Sequence, residues 1–273
     1  MPELPEVETI RRQLHARLEG VCIVDVELLH TGRERPKGSA FVEALKGATI
    51  RSIDRRAKLL IWRLADKRAV IAHLKMTGRF LFVSSTYEAQ KHDAIRIVCQ
   101  KGRQRINVIW NDVRKFGFME VLSSHDLDRK LAEYGPEPLE TPAKTLADRL
   151  CAPTTRLLKA ALLDQACIAG VGNIYADEAC FRAGVHPKRR LGALVDRERL
   201  ALARATQDVL QESIDQQGTS AHTYVDTEGL RGGFVTLLRV YGRQGQPCLD
   251  CQQPIQKTRL AQRGTHVCPN CQH

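Results

Sequence analysis

Four cysteines near the C-terminal end constrain the fold of this chain more than any other feature of its sequence. Cys248 and Cys251 form one C-x2-C pair, and after sixteen intervening residues Cys268 and Cys271 form another. Two such pairs offer four thiolates to one tetrahedral metal ion, and the segment between them has the length of a β-hairpin. A segment this small buries too little apolar surface to fold without the metal. The pattern predicts one structural zinc ion, with no coordination position open for chemistry.

Two disulfide bonds are the alternative for these four cysteines. They conflict with a cytoplasmic setting, which we expect because MPELPEVET lacks the basic and apolar regions of a secretory signal. We expect no membrane association, since no run of about 18 apolar residues occurs. The other five cysteines stand singly among apolar neighbours, and we expect them to be reduced and buried. They are Cys22, Cys99, Cys151, Cys167 and Cys180.

The charge balance favours a polyanionic partner. The chain has 42 Lys and Arg against 31 Asp and Glu, a net charge of +11, which attracts polyanions over a distance. The segment 231–273 holds six cations and a single acid, Asp250. A basic hairpin held by metal suits contact with the phosphates or grooves of nucleic acid. A basic enzyme with a merely solvated surface fits the net charge equally well.

The spacing of apolar residues divides the chain into a β-rich half and a helical half. Apolar residues recur every three or four positions from Pro5 to Leu18, which predicts an amphipathic helix. Between Val21 and Ser123 short β-rich runs alternate with polar turns, typical of a β-sandwich or a flattened barrel. Four further helices are predicted at Lys144–Cys151, Thr155–Leu163, Ile174–Ala183 and Arg197–Gln216.

Two segments rich in turn-forming residues mark the boundaries of the predicted α+β architecture. Tyr134-Gly135-Pro136-Glu137-Pro138 is the predicted hinge between the halves, and residues 218–235, rich in Gly, Ser and Thr, predict a mobile loop. We therefore expect an N-terminal β-sandwich domain with a leading helix, a helical domain that includes the loop, and a zinc hairpin. Their ranges are 1–134, 135–235 and 236–273.

The N-terminus offers a candidate nucleophile. Met1 precedes a small residue, Pro2, so we expect Met1 to be removed, leaving a secondary amine. An α-amino group has a pKa of about 8, so a neutral fraction is available at neutral pH to attack carbon. Attack on the anomeric carbon of a nucleotide would displace its base, and the resulting iminium ion would permit elimination of phosphate. The alternative is that Pro2 and Pro5 simply start a helix, with Glu3 and Glu6 near its positive end.

Nine segments in chain order carry a resemblance to a known family: MPELPEVETIRRQL, RRAKLL, HLKMTGRF, KHDAIRI, NDVRKFG, YGPEPL, AGVGNIYADEACFRAGVHP, RVYGRQGQPC and KTRLAQRGTHVC. Together they resemble the bacterial formamidopyrimidine-DNA glycosylases, from Met1 to the last cysteine. The endonuclease VIII branch shares the proline but typically reads PEGPE, so Leu4 favours the formamidopyrimidine branch. The resemblance implies a helix–two-turn–helix element in the helical domain, and duplex DNA in a cleft between two lobes.

The resemblance assigns four residues to catalysis. Pro2 would be the Schiff-base nucleophile, Glu3 the general acid and base, and Lys58 a proton donor near the phosphates. Arg263 of the zinc hairpin would grip the phosphate beside the lesion and assist a second elimination. Without the family resemblance, the sequence favours an exposed cation within a basic run for Lys58. For Arg263 it favours an exposed charge at a hairpin tip.

Three residues match the family's wedge, the group that fills the gap left when a base is rotated out of the helix. They are Met76, Arg114 and Phe116, of which Arg114 would hydrogen-bond the cytosine left without its partner. Burial in a core is the commoner fate of Met and Phe side chains, but basic and Gly neighbours favour an exposed loop here.

Three further residues match positions that contact DNA phosphates: His92, Lys159 and Asn173. The Gly170–Asn173 turn before a helix would present backbone N–H groups to an anion, although such turns also occur as plain connectors. The sequence departs from many relatives at Val113 and Lys115, and it has Thr154 and Thr155 where some carry lysines. Residues 218–235, expected to cap the extruded base, match only loosely.

The activity implied by the resemblance is that of a bifunctional DNA glycosylase and apurinic or apyrimidinic site lyase of base excision repair. It would act as a monomer on duplex DNA containing 8-oxoguanine or formamidopyrimidines, by β- and δ-elimination, with zinc as its one cofactor. Two alternatives remain. One is an oxidised-pyrimidine glycosylase of the endonuclease VIII type, and the other a non-catalytic zinc-finger DNA binder, which gives Pro2 no purpose.

Overall fold

The computed structural model describes residues 1–30, 32–151, 155–221 and 223–273, which form two compact units. Unit 1 comprises Met1–Ala132 with Gln217–Gly232, and unit 2 comprises Glu133–Gln216 with Gly233–His273. The packing thus groups most of the Gly/Ser/Thr-rich segment with the N-terminal half, although it follows the helical region in sequence. Among the residues described, no helix is long and apolar enough to cross a lipid bilayer.

In the residues described, unit 1 is a nine-stranded sheet with three helices. The strands are β1 Val21–Leu28, β2 Glu34–Arg35, β3 Thr49–Arg56, β4 Leu59–Leu64, β5 Ala69–His73, β6 Gly78–Val83, β7 Asp93–Lys101, β8 Gln104–Asp112 and β9 Phe118–Leu122. The helices are α1 Leu4–Leu18, α2 Ser39–Leu45 and α3 Ser124–Leu131. The strand order is β2-β9-β5-β4-β3-β1-β7-β8-β6, antiparallel except between β2 and β9.

The sheet folds back on itself into the predicted sandwich. Trp62 on β4 and Phe80 on β6 stand five strands apart in the sheet order, about 24 Å in a flat sheet. Their ring centroids are nevertheless 5.4 Å apart, and Phe80 also meets Trp110 at 4.8 Å. The two halves of the sheet therefore face each other across a shared apolar core.

Helix α1 packs its apolar stripe into the same core. Val7, Ile10, Leu14 and Leu18 are all fully buried, as expected for residues that recur every three or four positions on one face of a helix. The predicted leading helix is confirmed, and its first turn is fixed relative to the sheet.

Unit 2 is helical, followed by a small hairpin. Its elements are α4 Ala143–Arg149, α5 Leu158–Leu163, α6 Asn173–Arg182, α7 Asp196–Asp215, β10 Gln256–Leu260 and β11 Arg263–Val267, with short 3-10 turns at Leu191–Ala193 and Phe234–Leu237. Strands β10 and β11 pair antiparallel, with Lys257 opposite His266. Helix α5 begins at Leu158 rather than at the predicted Thr155, because Leu157 pairs with Arg190 as an isolated bridge.

The expectation that all five scattered cysteines are buried is wrong for two of them. Cys151 is exposed in the connection after α4, and Cys22 is only partly buried, because alternate residues of β1 face away from the core. Cys99, Cys167 and Cys180 are buried as expected.

Replacing Phe80 with Ala tests the sandwich core. Since Phe80 is fully buried between two tryptophans, we expect Phe80→Ala to lower the free energy of unfolding by about 3–5 kcal/mol in urea titrations. Leu230→Ala, at a residue that is 60% exposed in the same unit, is the control and should cost less than about 0.5 kcal/mol. Equal losses in the two variants would contradict the folded-back sheet.

Candidate active site

The start of α1 holds Pro2 and Glu3 in fixed positions. The backbone N–H of Glu3 donates to Oε2 of Glu6 at 2.7 Å, so a side chain of the first helical turn caps the residue that precedes the helix. This contact satisfies a donor that a helix start leaves unpaired. Pro2 is buried immediately before it, and Glu3 is 3% exposed. A nitrogen at residue 2 is therefore held against the protein and does not belong to a freely moving terminus.

Glu6 also ties α1 to the segment Gln217–Gly232. Its Oε1 accepts the backbone N–H of Thr219 at 2.8 Å. Gly218 has φ +90°, and a Cβ there would lie 3.1 Å from Glu6, so only glycine lets the backbone approach this closely. The composition of this segment predicted mobility, but in this conformation Thr219 and Ser220 are buried.

Pro2 lines a small pocket within unit 1. One wall comes from Met76 and the start of β6, and the other from the Gln217–Gly232 segment. The lining residues are Pro2, Met76, Thr77, Gly78, Arg79, Thr223, Tyr224 and Val225. The candidate nucleophile and one residue of the expected wedge therefore share a cavity.

Lys58 lies in the turn between β3 and β4 and is 7% exposed, so it is not the solvated cation that its basic neighbours allow. Beside it, His73 stands on β5 opposite Leu59. Burial, together with the positive charges of Lys75 and Lys58, lowers the pKa of His73 to about 3. Its ring is therefore neutral at physiological pH, and its Nδ1 accepts the backbone N–H of Lys75 at 2.9 Å. Sequence reasoning missed His73, although it lies within HLKMTGRF.

A partly buried ion-pair network braces the same region. Glu8 contacts Arg11, Arg12 and Arg55, with Arg55 Nε at 3.1 Å. Burial of Glu8 opposes its ionisation, but the hydrogen bonds from Arg11 and Arg12 and the charge of Arg55 outweigh that effect and lower its pKa. Arg55 also donates to the carbonyl of Ala57 at 3.0 Å. The turn that carries Lys58 is thus anchored to α1.

The three expected wedge residues lie together on the surface. Met76 and Phe116 are each 41% exposed, which excludes the alternative that they belong to the core. The Arg114 guanidinium contacts Met76 Sδ at 2.8 Å and lies 4.9 Å from the centroid of the Phe116 ring. The two turns that carry these side chains, one after β5 and one after β8, therefore meet at their tips.

His92 lines a second pocket in unit 1 whose walls carry four basic side chains: His30, Arg33, His92 and Lys115. Lys115 adopts a left-handed conformation, with φ +54°, in the tight turn after β8. The positive charges of Arg33 and Lys115, with N–H donors from the two histidines, have the chemistry to hold a phosphate group. This pocket is separate from the one that Pro2 lines.

The predicted phosphate contact at Lys159 is corrected by the structure. Lys159 is fully buried in α5 and forms an ion pair with Asp177 of α6, which is also fully buried. Its Nζ also donates to the carbonyl of Asn173 at 3.2 Å. The ammonium group is thus neutralised inside the protein and is not presented to a ligand.

Asp177 extends this contact to the zinc hairpin. Its Oδ2 accepts the backbone N–H of His266 at 3.0 Å and lies 3.2 Å from Nδ1 of the same residue. Asn173, the first residue of α6, donates from Nδ2 to the carbonyl of Gly264 at 3.0 Å. Arg263 is exposed at the hairpin turn. The interior of unit 2 therefore positions the strand that carries Arg263.

Glu178, next to Asp177, fixes the entry to the hairpin. It accepts backbone N–H groups at 2.8–3.0 Å from three successive residues, Arg239, Val240 and Tyr241. Burial raises the pKa of Glu178, although these three hydrogen bonds favour its ionised form.

The four cysteines of unit 2 fit a zinc ion. Their sulfur atoms all lie within 4.8 Å of one another, with Cys248 and Cys271 at 3.9 Å and Cys251 and Cys268 at 3.4 Å. Tetrahedral coordination with Zn–S bonds of about 2.3 Å requires sulfur separations of about 3.8 Å. Disulfide bonds would require about 2.05 Å, so the disulfide alternative is excluded. The predicted metal-ligand set is confirmed.

Three family models match the chain. The formamidopyrimidine-DNA glycosylase N-terminal domain matches residues 1–119, its H2TH domain residues 134–225, and a zinc finger found in FPG and IleRS residues 245–273. Formamidopyrimidine-DNA glycosylases of Geobacillus kaustophilus and Desulfitobacterium hafniense are 42% and 41% identical, each over the whole of both chains. The chain belongs to the formamidopyrimidine-DNA glycosylase family.

Solved structures of this family share the fold. A Lactococcus lactis FPG mutant in complex with a Fapy-dG containing DNA has a TM-score of 0.92 and 34% identity, with 99% of each chain covered. The Lactococcus lactis Fpg with an abasic site containing DNA gives 0.91, also at 34% identity and 99% coverage of each chain. The predicted α+β fold is therefore confirmed.

Two threonines stand where some relatives carry lysines. Thr154 lies outside the described residues, and Thr155 is exposed.

The variant Lys159→Met distinguishes between two roles of Lys159, a buried ion pair and a contact with a DNA phosphate. Because Asp177 would be left buried without the Lys159 ammonium, we expect the free energy of unfolding to fall by about 3–5 kcal/mol. The double variant Lys159→Met/Asp177→Asn, whose amide oxygen still accepts the backbone N–H of His266, should regain part of that loss. The slope of DNA affinity against salt should not change. A stable Lys159→Met protein whose salt slope falls by about one would show instead that Lys159 contacts phosphate.

Proposed function

We propose that this protein is a DNA glycosylase and abasic-site lyase of base excision repair that releases oxidised purines from duplex DNA, with Pro2 as its nucleophile. The family membership of the whole chain supports a DNA repair glycosylase. One structural observation carries the catalytic assignment: Pro2 is buried at a capped helix start and lines a pocket with Met76.

The proposed reaction begins after Met1 is removed and the Pro2 nitrogen becomes a secondary amine. Its lone pair attacks the anomeric carbon of an extruded nucleotide, and the bond to the damaged base breaks. Opening of the sugar gives an iminium ion between Pro2 and that carbon. The iminium acidifies the neighbouring sugar carbon, whose deprotonation expels the 3′ phosphate in β-elimination. A second, δ-elimination then expels the 5′ phosphate, and hydrolysis of the iminium releases Pro2.

Two further residues of unit 1 are proposed to move protons in these steps. Glu3, held within the helix cap, serves as the general acid and base for sugar opening. Lys58 is proposed to donate a proton close to the phosphates. It lies beside His73, which stays neutral at physiological pH because its pKa is about 3, so Lys58 faces no competing imidazolium charge there. Zinc in the hairpin is structural and takes no part in the reaction.

Binding of damaged duplex DNA is proposed to use the wedge and the basic surfaces. Met76 and Phe116 fill the gap left by the extruded nucleotide, and Arg114 hydrogen-bonds the opposite cytosine. His92, Asn173 and Arg263 contact phosphates, and Arg263 also assists the second elimination. The contact from Asn173 would draw on the backbone N–H groups at the start of α6, because its side-chain Nδ2 already serves Gly264.

Removal of oxidised pyrimidines is a second candidate activity. A structure of the wild-type Lactococcus lactis FPG in complex with an oxidized pyrimidine containing DNA has a TM-score of 0.90 and 34% identity to this chain. Duplexes that contain either 8-oxoguanine or thymine glycol distinguish the two activities by their rates of cleavage. We propose that the oxidised purine is preferred. We also propose that the protein acts as a monomer in the cytoplasm, on nucleoid DNA.

Pro2→Gly tests the nucleophile. We expect the variant to bind an 8-oxoguanine duplex within about twofold of wild type but to release the base at least about a hundredfold more slowly, because the secondary amine is lost. Single-turnover cleavage of end-labelled duplex measures release, and fluorescence anisotropy measures binding.

The matched control for this variant is Pro5→Ala. Pro5 lies in the first turn of α1, so its replacement alters the helix start but leaves the Pro2 amine intact, and base release should persist. Wild-type rates in Pro2→Gly, or equal losses in both variants, would contradict the assignment.

A further inference from the structure

A buried carboxylate outside the proposed chemistry joins the two turns that carry the wedge. Asp112, the last residue of β8, is 3% exposed. Its Oδ1 accepts the Thr77 hydroxyl at 2.5 Å and the backbone N–H of Arg114 at 3.2 Å, and its Oδ2 accepts the backbone N–H of Gly117 at 2.7 Å. The Asp112 side chain thus bonds to Arg114 and Gly117 in the turn after β8, and to Thr77 in the turn after β5.

Thr77 completes the link from the other side. Its hydroxyl oxygen accepts the backbone N–H of Arg114 at 3.0 Å while its proton goes to Asp112. Thr77 directly follows Met76, and Arg114 is one of the three wedge residues. Two adjacent hydrogen bonds therefore fix the backbone beside Met76 to the backbone of Arg114, although 37 residues separate Thr77 from Arg114 in sequence.

Both turns end in glycines that allow this close approach. A Cβ on Gly117 would lie 2.6 Å from the Trp110 ring and 3.0 Å from Oδ2 of Asp112. A Cβ on Gly78 would lie 2.6 Å from the carbonyl oxygen of Leu74. The backbone of Gly117 thus packs directly against the carboxylate of Asp112. It also packs against the end of β5, because the same Cβ would lie 3.1 Å from the carbonyl oxygen of His73.

The donors around Asp112 match the acceptors of a carboxylate. Asp112 receives one hydroxyl and two backbone N–H donors, and a carboxylate accepts all three whereas an amide replaces one acceptor oxygen with a donor. Hydrogen bonds to a carboxylate are shorter and stronger than bonds between neutral groups. Arg33 and Lys115 line the same pocket as Asp112.

We propose that Thr77 and Asp112 form a clasp that holds Met76, Arg114 and Phe116 as one rigid unit, so that all three enter the duplex together. Thr77 and Asp112 are positioning residues, since they act through the wedge and not on the reacting atoms. This inference rests on the proposed function, because the wedge matters only if a nucleotide is extruded. Loss of the clasp would let the two turns separate. Met76 and Phe116 would then fill the gap left by the extruded nucleotide less well, and Arg114 would hydrogen-bond the opposite cytosine less well.

Thr77→Val and Thr77→Ser test the clasp as a pair, because valine keeps the shape of threonine but lacks its hydroxyl, which serine retains. The substrates are duplexes with 8-oxoguanine opposite cytosine or adenine, and a single strand with a preformed abasic site, which needs no wedge. We expect Thr77→Val to lower excision opposite cytosine about tenfold and to narrow the cytosine preference, as expected for the loss of one charge-assisted hydrogen bond. Because Thr77 also lines the pocket of Pro2, the readout is the ratio of the two losses: duplex excision should fall at least about threefold more than single-strand cleavage. Thr77→Ser should restore duplex excision.

Two further variants separate positioning from folding. Asp112→Asn should reproduce the Thr77→Val pattern. Thr86→Val, at an exposed threonine of the same unit whose hydroxyl meets Ser84, should match wild type on every substrate. Thermal unfolding by circular dichroism reports the folded state of each protein.

The outcomes distinguish the clasp from the function on which it rests. Full duplex excision and unchanged cytosine preference in Thr77→Val would overturn the clasp, and so would an equal loss on duplex and single strand, which indicates a purely structural role. A wild-type enzyme that cleaves neither lesion-containing duplexes nor abasic single strands refutes the proposed function itself.

Discussion

The hydrogen bond from the Glu3 backbone N–H to the Glu6 carboxylate is the interaction on which the rest of the site depends. It places residue 2 at a defined point above the first turn of α1, and the buried stripe of that helix transmits this position to the sheet. Glu6 uses its second oxygen to hold Thr219, so the same side chain also locates one wall of the pocket. A terminal amine is ordinarily mobile and fully solvated. Here the fold gives it a fixed place among buried groups, as a nucleophile requires.

The two units position their functional groups by different physical means. In unit 1 a large apolar core supports a folded-back sheet, and tight turns at the strand ends, joined through Asp112 and Thr77, present the exposed wedge. In unit 2 the hairpin has little core of its own. It is held by the four cysteines, by Asp177 contacting His266, and by Glu178 receiving three backbone donors. Burial of the Lys159–Asp177 ion pair costs free energy of desolvation. This cost is consistent with a role of the pair in specifying geometry more than in adding stability.

The sequence predicted the features that depend on local spacing. The apolar period located α1 within one residue of its observed start, and the cysteine spacing identified the metal ligands. Helices α2 and α3 and strand β2 were missed because they are short and lie within or directly after the run of strands, whose alternating pattern dominates that half of the sequence. The prediction for Lys159 was wrong because a lysine is buried in a core only when an acidic partner lies beside it in the fold. Here that partner is Asp177, 18 residues away in sequence. The Thr77–Asp112 contact spans 35 residues and has no local signal, and the pKa of His73 depends on burial that the sequence does not display.

The identity of the atom that becomes bonded to the sugar tests the central claim most directly. The enzyme is incubated with abasic duplex DNA and borohydride, digested with nuclease and protease, and its N-terminal peptide is analysed by tandem mass spectrometry. We expect a chain that begins at Pro2, without Met1, with the reduced sugar remnant on the Pro2 nitrogen. A remnant on Lys58 or another lysine, or an active enzyme that retains Met1, would contradict it.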